Sequence, residues 1–100
     1  MRQLVYLAAA RDDLLAIQRH INAAAGLEIA EAFVARLRSR CRRLAELPGI
    51  LGTARTELGA DVRSTSYESY VIFFRYRGET VEIINILHAS RDIAGYFGDF

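Results

Sequence analysis

Tyr70-Val71-Ile72-Phe73-Phe74-Arg75-Tyr76-Arg77-Gly78-Glu79-Thr80-Val81-Glu82-Ile83-Ile84-Asn85-Ile86-Leu87-His88 is the stretch that decides the fold. Two runs rich in β-branched and aromatic residues flank Arg77-Gly78-Glu79, a link short enough for a β-hairpin. A strand with one wet face alternates apolar and polar residues. Val71 to Phe74 and Ile83 to Leu87 are nearly continuous apolar runs, so both faces of these strands need cover. Upstream, residues 61–66 read as a third strand. Residues 48–60, with Gly49, Gly52 and Gly59, read as a loop.

Further back the period changes from two to 3.6. From Asp12 onward Leu14, Ile17, Ile21 and Ala24 recur at three- and four-residue steps, which predicts an amphipathic helix. Asp12 and Asp13 are expected in its first turn, where the helix dipole favours negative charge. Gly26 is its expected left-handed stop. Residues 27–47 predict a second helix with the stripe Ala30, Phe33, Val34, Leu37, Cys41 and Leu44. Pro48-Gly49 ends it, because proline cannot continue the hydrogen-bond ladder. So short a link at Gly26 makes the helices an antiparallel hairpin. Residues 4–7 form a strand. The expected class is α+β, in the order β-α-α-β-β-β with a short C-terminal helix. The two-helix hairpin lies on one face of a small, mostly antiparallel sheet holding a three-stranded meander. The C-terminal segment, or a partner, must cover the other face. All 100 residues are expected to form one domain.

Composition removes several function classes. Hydrophobic residues at 52%, with a single proline, exclude a disordered chain. One cysteine, Cys41, cannot form an internal disulfide, which fits a reducing compartment. Leu4 to Ala10 superficially resembles a signal-peptide core, but it is at the lower length limit and only Arg2 precedes it. No apolar run approaches the ~18 residues of a membrane span, so the expected location is the cytoplasm, with no membrane partner. All 13 cationic side chains are Arg. Residues 1–50 carry eight Arg against five acids, and residues 51–100 five against seven. A pI of 7.9 is low for a protein whose main activity is gripping phosphate backbones, and direct sequence-specific nucleic-acid binding is not expected. His20 and His88 lack CxxC or HExxH surroundings, so neither a metal site nor a cofactor is expected.

Leu47-Pro48, Gly52, Glu57-Leu58, Val62-Arg63 and Tyr70 to Arg75 resemble the RelE/ParE toxin superfamily. Val81-Glu82-Ile83-Ile84 and then Leu87-His88-Ala89-Ser90-Arg91-Asp92-Ile93 complete the likeness, and the Leu-His-x-x-Arg-Asp ending resembles the ParE-like branch. Residues 1–46 match through element order and the Asp13-Leu14 and Ile17 pattern. Two departures stand out: Phe74 where many relatives carry tyrosine, and Glu68-Ser69 in place of a more usual glycine or proline.

The resemblance implies a type II toxin held inactive by a cognate ParD-like antitoxin, which wraps a flexible segment around it. It also implies one of two actions. ParE-type members poison DNA gyrase by binding, whereas RelE-type members cut messenger RNA on the ribosome. Metal-free RNA cleavage needs a base, an acid and phosphate-binding cations. Lys is absent and Arg cannot serve as the base. That leaves His88 and Tyr96 as proton carriers, with Arg63, Arg75 and Arg77 as clamps, on a half-chain that is net acidic. The ParE-type reading, with no catalytic residue, is preferred.

Each candidate residue has a plain role beside the functional one. His88, Arg91 and Asp92 are binding residues, or they finish the last strand and start the terminal helix. Arg75 and Arg77, on one side of their strand, are solvated charges or meet acids on a partner. Arg36, Arg40 and Arg43 share one helix face: they are a solvated helix end or the dock for an acidic antitoxin segment.

Overall fold

The structure, a computed structural model, describes residues 1–91 and 93–98, without the side chains of residues 94, 96 and 98. Strand β1 (Gln3–Tyr6) leads into helices α1 (Ala8–Ala25) and α2 (Leu27–Glu46). Strands β2 (Thr53–Ala54), β3 (Arg63–Tyr67), β4 (Tyr70–Arg77) and β5 (Thr80–His88) follow, then helix α3 (Ile93–Gly98). The strands form one five-stranded sheet in the order β1-β5-β4-β3-β2. β1 runs parallel to β5, and the other pairings are antiparallel.

Four local expectations are corrected. α1 starts four residues before Asp12, because Ala8-Ala9-Ala10 has the best helix propensity available. Asp12 and Asp13 therefore sit beyond the first turn, and Asp13 points inward. Gly26 has φ 98° and ψ 161°, a positive φ suited to glycine but not the left-handed helical stop. The loop over 48–60 contains β2, which gave no signal because it is two exposed residues long. Ala24 is exposed at the projecting end of the hairpin, outside the buried face.

The helix hairpin covers one face of the sheet. Ala10, Leu14, Ile17, Leu37, Cys41 and Leu44 pack there on Ile72, Phe74, Val81, Ile83 and Ile86. On the other face Ile93 and Phe97 of α3 pack against Val62, Phe73 and Leu87. The Phe97 and Phe73 rings are 5.1 Å apart. The apolar runs are thus covered on both sides, with the C-terminal segment supplying the second.

One irregularity explains why β5 lacks alternation. The register shifts between Phe73, paired with Asn85, and Phe74, paired with Ile83. Ile84 is the extra residue of a β-bulge, and the inserted residue flips the parity of everything after it. Val81 and Ile83 face the helices before the bulge, and Ile86 does so after it. The Asp13 carboxylate closes the gap: its Oδ2 accepts the Ile86 N–H at 2.9 Å and the Asn85 side-chain amide at 3.0 Å.

Cys41 is fully buried beneath α2, hydrogen-bonded to the Tyr6 hydroxyl. Burial pushes its thiol up to about 11, the Tyr6 contact and nearby arginines opposing only in part. Thiol reagents at pH 8 are therefore expected to label Cys41 only as fast as the protein unfolds, and promptly in denaturant. The folded state holds this proton more tightly than the unfolded chain does. Its contribution to stability is thus complete below about pH 8.5 and declines as pH rises toward 11. Denaturation midpoints measured across that window check the sign.

Candidate functional site

Three surfaces gather the chemistry-bearing residues. The first is a groove of about 510 Å³ between α1 and the end of β5, lined by Asp13, Ile17, His20, Tyr70, His88 and Arg91, among others. Both histidines of the chain meet here. His20 lies one turn beyond Ile17 on α1. His88 ends β5 opposite Tyr70, with ring centroids 5.3 Å apart, edge to face. The Ser90 N–H donates to His88 Nδ1 at 3.1 Å, and the Ser90 hydroxyl lies 2.7 Å from the same nitrogen. A nitrogen that accepts a backbone N–H carries no proton itself, so the neutral ring bears its hydrogen on Nε2.

The second surface is a smaller groove of about 210 Å³, lined by Arg36, Ser39, Arg40, Arg43 and Tyr67. Arg36, Arg40 and Arg43 fall on one face of α2 because residues three and four apart are neighbours on a helix. The Tyr67 hydroxyl accepts from Arg36 Nε at 3.0 Å, and the Arg40 guanidinium lies 5.7 Å from the Tyr67 ring centroid. Tyr67 was not legible as part of this site, because nothing in the sequence places the end of β3 beneath α2.

The third surface is the sheet face away from the helix hairpin, with Arg75 and Arg77. Arg75 Nε pairs with Glu82 at 2.6 Å, and Arg77 with Asp61 at 3.3 Å. Arg75 faces Glu82 across the β4–β5 ladder, a cross-strand ion pair. Arg63 holds the backbone instead: Nε donates to the Leu51 carbonyl at 2.7 Å and Nη2 to Gly52 at 3.0 Å.

These residues do not form one catalytic cluster. Arg63 pairs with Phe74 on β4 while His88 pairs with Tyr70, and two strand spacings separate β3 from β5. Strand geometry then puts the Arg63 and His88 Cα atoms about 16 Å apart, and the Arg63 guanidinium is taken up by the Leu51 and Gly52 carbonyls. Of the remaining candidates, Asp92 and the Tyr96 side chain lie outside the described residues. Arg91 lines the histidine groove, and its backbone N–H donates to the His88 carbonyl at 3.0 Å. Among the described residues, no helix is long and apolar enough to cross a membrane.

Comparison with known proteins matches this arrangement to a family. A solved structure titled "Chromosomal ParDE TA system from P. aeruginosa" superposes with a TM-score of 0.76 at 26% identity. The match covers 88% of this chain and 96% of that one. Comparison with curated proteins gives no match. The family model described as "ParE toxin of type II toxin-antitoxin system, parDE" matches residues 4–93. With nearly the whole chain matched, the protein belongs to the ParE toxin family of type II toxin–antitoxin systems.

Proposed function

We propose that this ParE-family toxin acts in the cytoplasm by binding DNA gyrase, without covalent chemistry or a cofactor of its own. A cognate ParD-like antitoxin neutralises it, docking an acidic segment on Arg36, Arg40 and Arg43. The observation that carries the binding reading is the state of the sheet cations. Arg75 and Arg77 are paired with carboxylates and Arg63 with loop carbonyls. A ribonuclease surface would instead hold such cations ready for phosphates near a proton carrier. The antitoxin reading is supported by the ParDE likeness and by the arginine groove, whose charge suits an acidic partner.

A plasmid supercoiling assay with purified gyrase tests the proposal. Supercoiling should be lost at stoichiometric toxin and return when the product of a neighbouring short acidic reading frame is added. Intact supercoiling together with position-specific cuts in translated messenger RNA would replace this reading with the RelE-type one. Inactivity in both assays, with antitoxin binding retained, would identify a non-toxic member of the family.

A further inference from the structure

The two grooves on the helix side are joined by a row of rings. Phe33 of α2 lies 5.9 Å from Tyr67 and 5.7 Å from Tyr70, and Tyr70 lies 5.3 Å from His88. The row starts at the arginine groove, crosses the β3–β4 turn and ends in the histidine groove. We infer that this row is one docking track for a single extended acidic peptide segment. Acidic residues of the segment occupy both grooves, and its apolar residues lie across the rings. The inference rests on the antitoxin reading for the protein that carries the segment, and it adds the histidine groove as a second contact.

Charge complementarity selects the occupant. Arg36, Arg40 and Arg43 stand at one end, and the His88 Nε2–H and His20 at the other. Asp13 also lines the histidine groove, but its Oδ2 is held by the Asn85 amide and the Ile86 N–H. Glu68, exposed in the turn between Tyr67 and Tyr70, is the acid placed to repel the segment. Three ring-to-ring steps correspond to roughly five extended residues, which sets the spacing of the acids. Single-stranded nucleic acid is the competing polyanion, but it binds by stacking bases on open ring faces. Here the Arg36 and Arg40 guanidiniums lie over Phe33 and Tyr67, and the rings tilt against one another. Two of the four rings in the row thus already carry a cation, which leaves less ring face for base stacking, so a peptide fits better.

The test titrates isotope-labelled protein with short synthetic peptides and follows amide shifts by NMR. One peptide carries two acidic pairs about five residues apart with leucines between them; a control of equal composition has the pairs adjacent. The spaced peptide should bind about tenfold more tightly, because its second contact becomes intramolecular. It should shift amides around both Arg40 and His88. Arg40→Glu and His88→Glu should each remove most of that gain, and Glu68→Gln should increase affinity. Shifts confined to one groove, no spacing preference, or tighter binding of oligothymidylate would each overturn the track. Binding of the co-expressed antitoxin is measured separately. If the antitoxin binds while the spaced peptide leaves the histidine groove unshifted, the track alone fails. If no antitoxin binds, the antitoxin reading itself fails.

Discussion

Asp13→Ala is expected to destabilise the protein by about 3 kcal/mol, since each buried donor left unsatisfied costs roughly 1–3 kcal/mol. Asp13 Oδ2 is the acceptor for two donors at the β5 bulge, the Ile86 N–H at 2.9 Å and the Asn85 amide at 3.0 Å. Ile86 and Asn85 are 2% and 4% exposed, so water does not readily replace the carboxylate. In a domain of this size that loss corresponds to a melting temperature roughly 12–24 °C lower. Asp13→Asn separates geometry from charge: its carbonyl oxygen can accept from both donors, so a cost of only about 1 kcal/mol is expected. Thermal and urea unfolding of both variants measure this. An Asp13→Ala protein within 1 kcal/mol of the parent would mean that the bulge finds other partners, and the proposed bond between α1 and β5 would not matter.

The same contact shows where sequence reading stops. The β-α-α-β-β-β order, the helix hairpin, the β4–β5 hairpin and the need for cover on both faces all followed from local periodicity and turn residues. The bulge did not. It is one extra residue within Ile83-Ile84-Asn85-Ile86-Leu87, and a continuous apolar run carries no parity for a shift to break. Asp13 was legible as a charge near a helix start, a local role. Its actual partners lie more than seventy residues away in the chain, and no spacing rule connects them. The Glu68-Ser69 departure turned out to be a matter of geometry, because Glu68 adopts φ 53°, where glycine is the easier residue.

The arginines divide along the same line. Arg36, Arg40 and Arg43 share a groove because helical spacing is a local property, and that much could be read directly. Whether Arg63, Arg75 and Arg77 are free depends on partners set by register: Glu82 across the β4–β5 ladder, Asp61 before β3, and two carbonyls of the loop before β2. Residue type alone made them equally good phosphate clamps. Their ion pairs and hydrogen bonds favour the binding reading over the nuclease one. Likewise, no spacing rule groups His20 with His88, since only the packing of α1 on β5 brings them into one groove.

The loop held by Arg63 gives the second large effect. Arg63 grips the Leu51 and Gly52 carbonyls, and the Tyr76 hydroxyl accepts the Leu51 N–H at 3.0 Å. Arg2 closes the other side, donating to the Gly49 carbonyl at 2.9 Å with its guanidinium 4.4 Å from the Tyr76 ring centroid. This arrangement brings Gly52 against the sheet, where a Cβ would stand 2.7 Å from the Ser64 carbonyl oxygen and 2.8 Å from the Phe74 ring. Neither neighbour can yield easily, one being strand backbone and the other a fully buried ring. Gly52 also has φ +73°, which costs an L-residue roughly 1–2 kcal/mol. Overpacking adds roughly 1–3 kcal/mol, so Gly52→Ala should lower stability by about 3 kcal/mol. Gly49→Ala is the control: its φ is +84° but nothing lies within 4 Å of the added carbon. It should lose only the backbone part, about 1 kcal/mol. Urea midpoints at unchanged m-value compare the two directly. Equal losses would show that the loop moves aside, and that Arg63 does not hold Gly52 against Phe74 in solution.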